Sequence, residues 1–231
     1  MSESPPYADR ADAGAQLATA LEPLGLQRPV VLGIPRGGVP VAAVVARRLG
    51  GDLGAVVARK LGAPSQPELA IGAVTADGST YIDSDLARRV GASPKYLQRI
   101  AETERGEAQR REEAFGTDGL RLPGRDVVVV DDGIATGATA IAALRSVRAA
   151  GAARVVLAVP VGPRSTLHEM RSYADEIVCP APQDDFFAVG QFYYDFRAPS
   201  DDKVREILRG GAARPPSATP AAPSPVDRRT R

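Results

Sequence analysis

Tryptophan is absent from this chain, and cysteine and histidine occur once each, as Cys179 and His168. A lone cysteine excludes a disulfide within the chain and fits a reducing compartment. A single helical histidine is ordinarily a surface or packed residue, so His168 is given no catalytic role. Lysine is scarce, 3 residues against 26 arginines. That bias reads as a coding preference, and it makes each lysine worth locating. The formal net charge is only +1, which removes the bulk electrostatic case for nucleic acid or a membrane surface as partner. No apolar run approaches membrane-spanning length. The N-terminus is polar and acidic, without the apolar core of a signal peptide. A soluble cytoplasmic protein is expected. There is no internal repeat, and 231 residues suffice for one α/β domain with an appendage.

Against that background one run stands out, Val127-Val128-Val129-Val130-Asp131-Asp132-Gly133-Ile134-Ala135-Thr136-Gly137-Ala138-Thr139-Ala140. Four consecutive β-branched residues read as a strand buried on both faces of a parallel sheet. Two carboxylates end it, a loop of small residues follows, and an alanine-rich helix from Ala140 to Ala150 comes next. In an open α/β sheet, ligands sit outside the carboxyl ends of the strands. A loop entering a helix there offers backbone N–H groups and the positive end of the helix dipole to an anion. Thr136 and Thr139 add hydroxyls. The guest expected is a phosphate, with the two carboxylates reaching hydroxyl groups further out. No lysine precedes Thr139, so this is not a Walker loop, and the glycine spacing is not that of a dinucleotide fingerprint. A helix cap would need one acid, not two.

A second turn is informative. The strand Val30 to Ile34 runs into Pro35-Arg36-Gly37-Gly38, and a helix from Val39 to Leu49 follows. Paired glycines let backbone approach a ligand closely, and Arg36 sets a permanent cation beside them. Gly54 to Ala58 reads as the next strand, delivering Arg59 and Lys60 at its carboxyl end. Leu61 to Leu69, with Gly62, Pro64 and Pro67, reads as a mobile loop. Ile71 to Thr75 and Thr80 to Ile82 flank a hairpin turn. Ser93-Pro94 opens a long, mixed-charge helix to Ala114, a solvated or subunit-facing element that allows a homodimer. Later come a strand from Arg154, a helix from Arg164 and a short strand from Glu176 to Val178. Phe186, Phe187, Phe192, Tyr193, Tyr194 and Phe196 then crowd together. They can pack a small subdomain, and they can offer a stacking face to a planar ring. From Gly210 on, composition indicates a disordered tail.

Along its whole length the Asp131 run resembles the phosphoribosyl diphosphate (PRPP) signature of the type I phosphoribosyltransferases, and the chain is similar to a bacterial group of predicted phosphoribosyltransferases over roughly residues 9–208. The resemblance implies an α/β fold, a doubly wound parallel sheet with a small C-terminal hood (176–199) inside a domain spanning 7–209. It implies Mg²⁺-dependent transfer of a phosphoribosyl group from PRPP to a small nitrogenous, nucleobase-like acceptor, with release of pyrophosphate, and so a place in nucleotide metabolism. By position, Asp131 and Asp132 would hold the ribose hydroxyls and meet Mg²⁺ through water at most. Ala135, Thr136, Gly137, Ala138 and Thr139 would cradle the 5′-phosphate. Arg36, Gly37, Gly38, Arg59 and Lys60 would converge on pyrophosphate, the first of these turns often through a cis peptide, under a flap formed by 61–69. Asp131, Asp132, Arg36 and Lys60 would carry the reaction. Members that use hypoxanthine and guanine have Asp where this chain has Ala135, so that candidate general base is missing and the acceptor stays open. Phe187, Tyr193 or Tyr194 is the expected platform for it, with at most half of the ring cluster lining the site, and Asp184 and Asp185 could accept hydrogen bonds from ring N–H groups. The side chains of Asp131 and Asp132 are expected to be free of structural partners. A non-catalytic PRPP-sensing regulator on the same fold is the alternative; no DNA-binding extension supports it.

Overall fold

The computed structural model describes residues 5–116 and 120–211. In chain order the elements are α1 (Arg10–Leu21), β1 (Val30–Gly33), α2 (Gly38–Leu49), β2 (Asp52–Ala55), β3 (Ala58–Ala63), β4 (Gln66–Thr75), β5 (Thr80–Ile82), α3 (Ser84–Arg89) and α4 (Pro94–Phe115). Then come β6 (Asp126–Val130), α5 (Ala138–Ala149), β7 (Arg154–Ala158), β8 (Val161–Pro163), α6 (Arg164–Met170), β9 (Glu176–Val178), β10 (Ala181–Gln183) and α7 (Asp201–Gly211).

The central sheet has five parallel strands in the order β2-β1-β6-β7-β9. The valine run is its middle strand, and Val127 to Val130 are all fully buried. Alternation sends Val128 and Val130 to the side covered by α1, α2 and α7, and Val127 and Val129 to the side covered by α5 and α6. That two-sided burial is why the strand reads as an unbroken apolar run. From β1 the chain passes through α2 outward to β2; from β6 it passes through α5 the opposite way to β7. The sheet is doubly wound, and its switch point lies between β1 and β6.

Two regions differ from expectation. The second core strand ends at Ala55, and the chain leaves the sheet before Ala58 starts β3. Arg59 and Lys60 therefore ride on a separate antiparallel sheet, β3-β4-β5. The segment read as a mobile loop, 61–69, is most of a β-hairpin turning at Pro64-Ser65. Leu61 and Ala63 anchor it in an apolar cluster with Ile71, Val74 and α4 residues. Pro67 is tolerated because the register slips between Leu61, Gly62 and Ala63, so it falls in a bulge. The hood also gains a short parallel pair, β8 with β10, too brief to leave a periodic signal. The hood's aromatic cluster takes in Tyr7 from the N-terminal segment. The tail read as disordered lies, from residue 212 on, outside the described residues.

Candidate active site

The loops after β1 and β6 meet at the switch point, where the Ile34 amide donates to the Val130 carbonyl at 2.8 Å. Since α2 and α5 leave on opposite faces, a crevice opens between the two loops, the usual ligand position in this architecture.

Asp131 is half-buried, and one of its oxygens, Oδ1, accepts the Asp132 amide at 2.9 Å. Asp132 is only 9% exposed. Its Oδ2 accepts Arg10 Nε at 2.8 Å, and its carbonyl accepts the Tyr193 hydroxyl at 2.6 Å. The expectation that both acids lack structural partners is thus wrong for Asp132. The partner comes from α1, 122 positions earlier, a distance at which no sequence spacing carries a signal. Burial, reinforced by the Asp132 charge, pushes the Asp131 carboxyl well above the usual range; burial also raises Asp132, with Arg10 pulling the other way. Two adjacent carboxyls, one buried and one half-buried, resist holding two negative charges. A cation or a set of hydroxyl donors arriving there would be favoured for the same reason.

The glycines of the first turn are explained by these acids. A Cβ on Gly37 would lie 1.9 Å from Asp132 Oδ2, and one on Gly38 would lie 2.4 Å from the Val130 carbonyl oxygen. Gly38 also spends its amide on the Ile34 carbonyl at 2.9 Å. Its expected role as an anion-cradling amide is replaced by a packing role; of the two glycines, Gly37 is the one whose amide meets no acceptor among the described residues. The Pro35–Arg36 peptide is cis. Arg36 is exposed, its nearest carboxylate Asp201 of α7 at 3.9 Å.

In the second loop Ala135 and Thr136 are exposed, Gly137 and Ala138 are buried and Thr139 lies between. Gly137 sits at φ 76°, a left-handed conformation that glycine adopts without a steric penalty. It precedes the 12-residue α5, whose first turn no side chain caps. Among the described residues the amides of Gly137, Ala138 and Thr139 meet no acceptor, which leaves a ready anion site. Thr166 of α6 donates to the Ala135 carbonyl at 2.8 Å and steadies the loop.

The basic pair divides. Arg59 Nε binds Glu104 of α4 at 2.8 Å; it does not join the expected pyrophosphate group. Neighbouring residues of a strand point to opposite faces. Lys60 therefore shares the face of Ala58, which packs with Ala138 and Ala142 of α5, and it is exposed.

The aromatic residues divide too. Tyr193 is 5% exposed, its ring tilted against Tyr7 at 5.3 Å and Phe196 at 5.0 Å. Burial raises its phenol, which keeps it a donor to Asp132. It is a strut and not a stacking platform. Phe187 is 92% and Tyr194 67% exposed, so both are open to a ligand or to solvent. Asp184 is paired with Arg164 at 3.2 Å. His168 lines a separate groove of about 560 Å³ between α6 and β9, together with Arg164, Arg171 and Cys179.

An α/β sheet doubly wound about an acid pair and an uncapped helix start is the architecture of the type I phosphoribosyltransferases. The chain belongs to the phosphoribosyl transferase domain family, which residues 10–197 match. It is 50% identical over 204 residues, 87% of its length, to "Putative phosphoribosyl transferase Rv0571c" of Mycobacterium tuberculosis, and it spans 46% of that relative, about half. The crystal structure of TT1426 from Thermus thermophilus matches with a TM-score of 0.76 at 46% identity, covering 90% of this chain and 99% of that one. Among the described residues, no helix is long and apolar enough to cross a membrane.

Proposed function

We propose that this protein transfers a phosphoribosyl group from PRPP to a small nitrogenous, nucleobase-like acceptor, releasing pyrophosphate. The observation that carries the reading is the pairing, at one switch point, of a buried and a half-buried carboxyl with an uncapped helix start. The free amides of 137–139, with the Thr136 and Thr139 hydroxyls, take the 5′-phosphate. The second oxygens of Asp131 and Asp132 accept the ribose hydroxyls. Arg36, the Gly37 amide and Lys60 take the pyrophosphate, whose charge grows as the bond to the anomeric carbon breaks; fixed cations placed there lower that barrier.

Two carboxylates, one already bound to Arg10, do not make a closed metal cage, and among the described residues no group of three or more such ligands forms one. That suits Mg²⁺, which keeps most of its water and binds through one or two carboxylates plus substrate oxygens. Asp131 and Asp132 would hold it, through water at most, and it would supply positive charge to neutralise the leaving group. In this reading the β3–β4 hairpin carrying Lys60 covers the pyrophosphate and excludes water. Phe187 and Tyr194 remain the candidate acceptor platforms.

We expect Asp131→Asn to weaken PRPP binding at least about tenfold, as loss of a charged hydrogen-bond acceptor would. Calorimetry with PRPP checks this, and an unchanged affinity would place the site elsewhere. Pyrophosphate release across a panel of purines, pyrimidines and other nitrogen acceptors identifies the second substrate. The sensor reading draws on the commitment of Arg59 to Glu104, which leaves fewer free cations for a leaving group. It predicts PRPP binding with no release for any acceptor.

A further inference from the structure

We propose that Arg10 is a positioning residue for the ribose end of this pocket, an inference that rests on the phosphoribosyl reading above. The guanidinium makes three contacts at once. Nε donates to Asp132 Oδ2 at 2.8 Å, Nη1 donates to the Arg197 carbonyl at 2.8 Å, and the planar group lies over the Phe196 ring with its carbon 4.2 Å from the centroid. Its side chain is 11% exposed and that of Asp132 12%.

Asp132 is held from several sides. The carbonyl is held by Tyr193, the amide by Asp131, and Oδ2 by Arg10, while Gly37 leaves the space the carboxylate occupies. Oδ1 is the oxygen that Arg10 does not engage, and together with the neighbouring Asp131 carboxyl, which interacts with it, it forms the acceptor set for a substrate hydroxyl. Arg10 therefore selects which carboxylate oxygen faces the pocket. Through Phe196 and Arg197 it ties that choice to the aromatic hood, so first-substrate binding and the acceptor wall share one side chain. A planar fork that stacks and donates along two directions is a property of arginine; the point charge of lysine would neutralise Asp132 without meeting the other two contacts.

The test compares wild type, Arg10→Lys and Phe196→Leu, using calorimetry with PRPP, ribose 5-phosphate and inorganic pyrophosphate, and thermal melting alongside. Arg10→Lys is expected to bind PRPP and ribose 5-phosphate about tenfold more weakly, with pyrophosphate affinity unchanged. Phe196→Leu removes the ring beneath the guanidinium and is expected to shift the same two ligands in the same direction. It carries the test if Arg10→Lys does not fold. Wild-type affinities for both sugar phosphates in the folded variants overturn the role of Arg10 and leave the phosphoribosyl reading standing. Equal losses for all three ligands also overturn it, because a general loosening does not discriminate ribose from pyrophosphate. A wild-type protein that binds neither sugar phosphate overturns the phosphoribosyl reading, and Arg10's role with it.

Discussion

Asp131 and Asp132 are adjacent and chemically alike, yet the fold gives them different work. Asp132 is half of a nearly buried ion pair, and removing one partner of such a pair strands the other charge. We expect Asp132→Asn to lower stability by roughly 3–5 kcal/mol in urea unfolding, where Asp131→Asn costs much less. Equal costs would mean that the Arg10 contact contributes little. Cys179 makes a second residue-scale case. Burial pushes its thiol up to about 11 from an ordinary value near 9.0. The folded state then holds its proton longer than the unfolded state, so this contribution to stability is complete below pH 9 and is lost as pH rises toward 11. At pH 7.5, a value of roughly one to two units below an unperturbed thiol, alkylation by iodoacetamide should be slow and should accelerate on denaturation. Fast labelling of the folded protein would contradict this.

The decisive elements are short ones at the switch point. Gly137 starts α5 from a left-handed conformation, and a Cβ there would lie 2.6 Å from the Met170 methyl. Gly137→Ala should therefore reshape the loop as well as strain it. We expect reduced thermal stability together with loss of phosphate affinity, read by melting with and without ribose 5-phosphate; ligand-induced stabilisation equal to wild type would show the loop intact. The β3–β4 hairpin shows how an element can hide. Gly62, Pro64 and Pro67 announce a loop, but a bulge absorbs Pro67 and the turn uses Pro64. The apolar positions Leu61, Ala63 and Ile71 then have a second cluster to enter. Local residue chemistry favours a loop there; the strand pairing that overrides it leaves no mark in the chain.

Across the whole molecule the N-terminal segment ties the hood to the core. Tyr7 is 1% exposed, donates its hydroxyl to the Pro160 carbonyl at 2.8 Å, and exchanges backbone hydrogen bonds with Phe192 and Tyr194. Arg10 follows it directly into the acid pair. Tyr7→Ala should cost about 3–5 kcal/mol, in the range for large aromatic truncations, and should increase protease cleavage between residues 184 and 199 more than elsewhere. Uniform cleavage would mean that the hood is not held by this segment.

The sequence by itself determined the middle strand, the acid pair at its end and the small-residue loop, because a doubly buried strand must be continuously apolar and a strand-to-helix anion loop must be small. It also showed the Arg36-Gly37-Gly38 turn and so, with the Asp131 run, both sides of the crevice. Tertiary structure alone decided which groups in that crevice are free. Arg59 and Lys60 look equivalent in the chain, but alternation along β3 turns one to Glu104 and leaves the other exposed. Tyr193 and Tyr194 look equivalent as rings, but one is a buried strut beneath Asp132. Arg10 carries no local signal, since its partner is 122 positions away. Composition and spacing report which groups a loop can offer; whether a charge is already paired depends on contacts between segments distant in sequence, and only folding creates those.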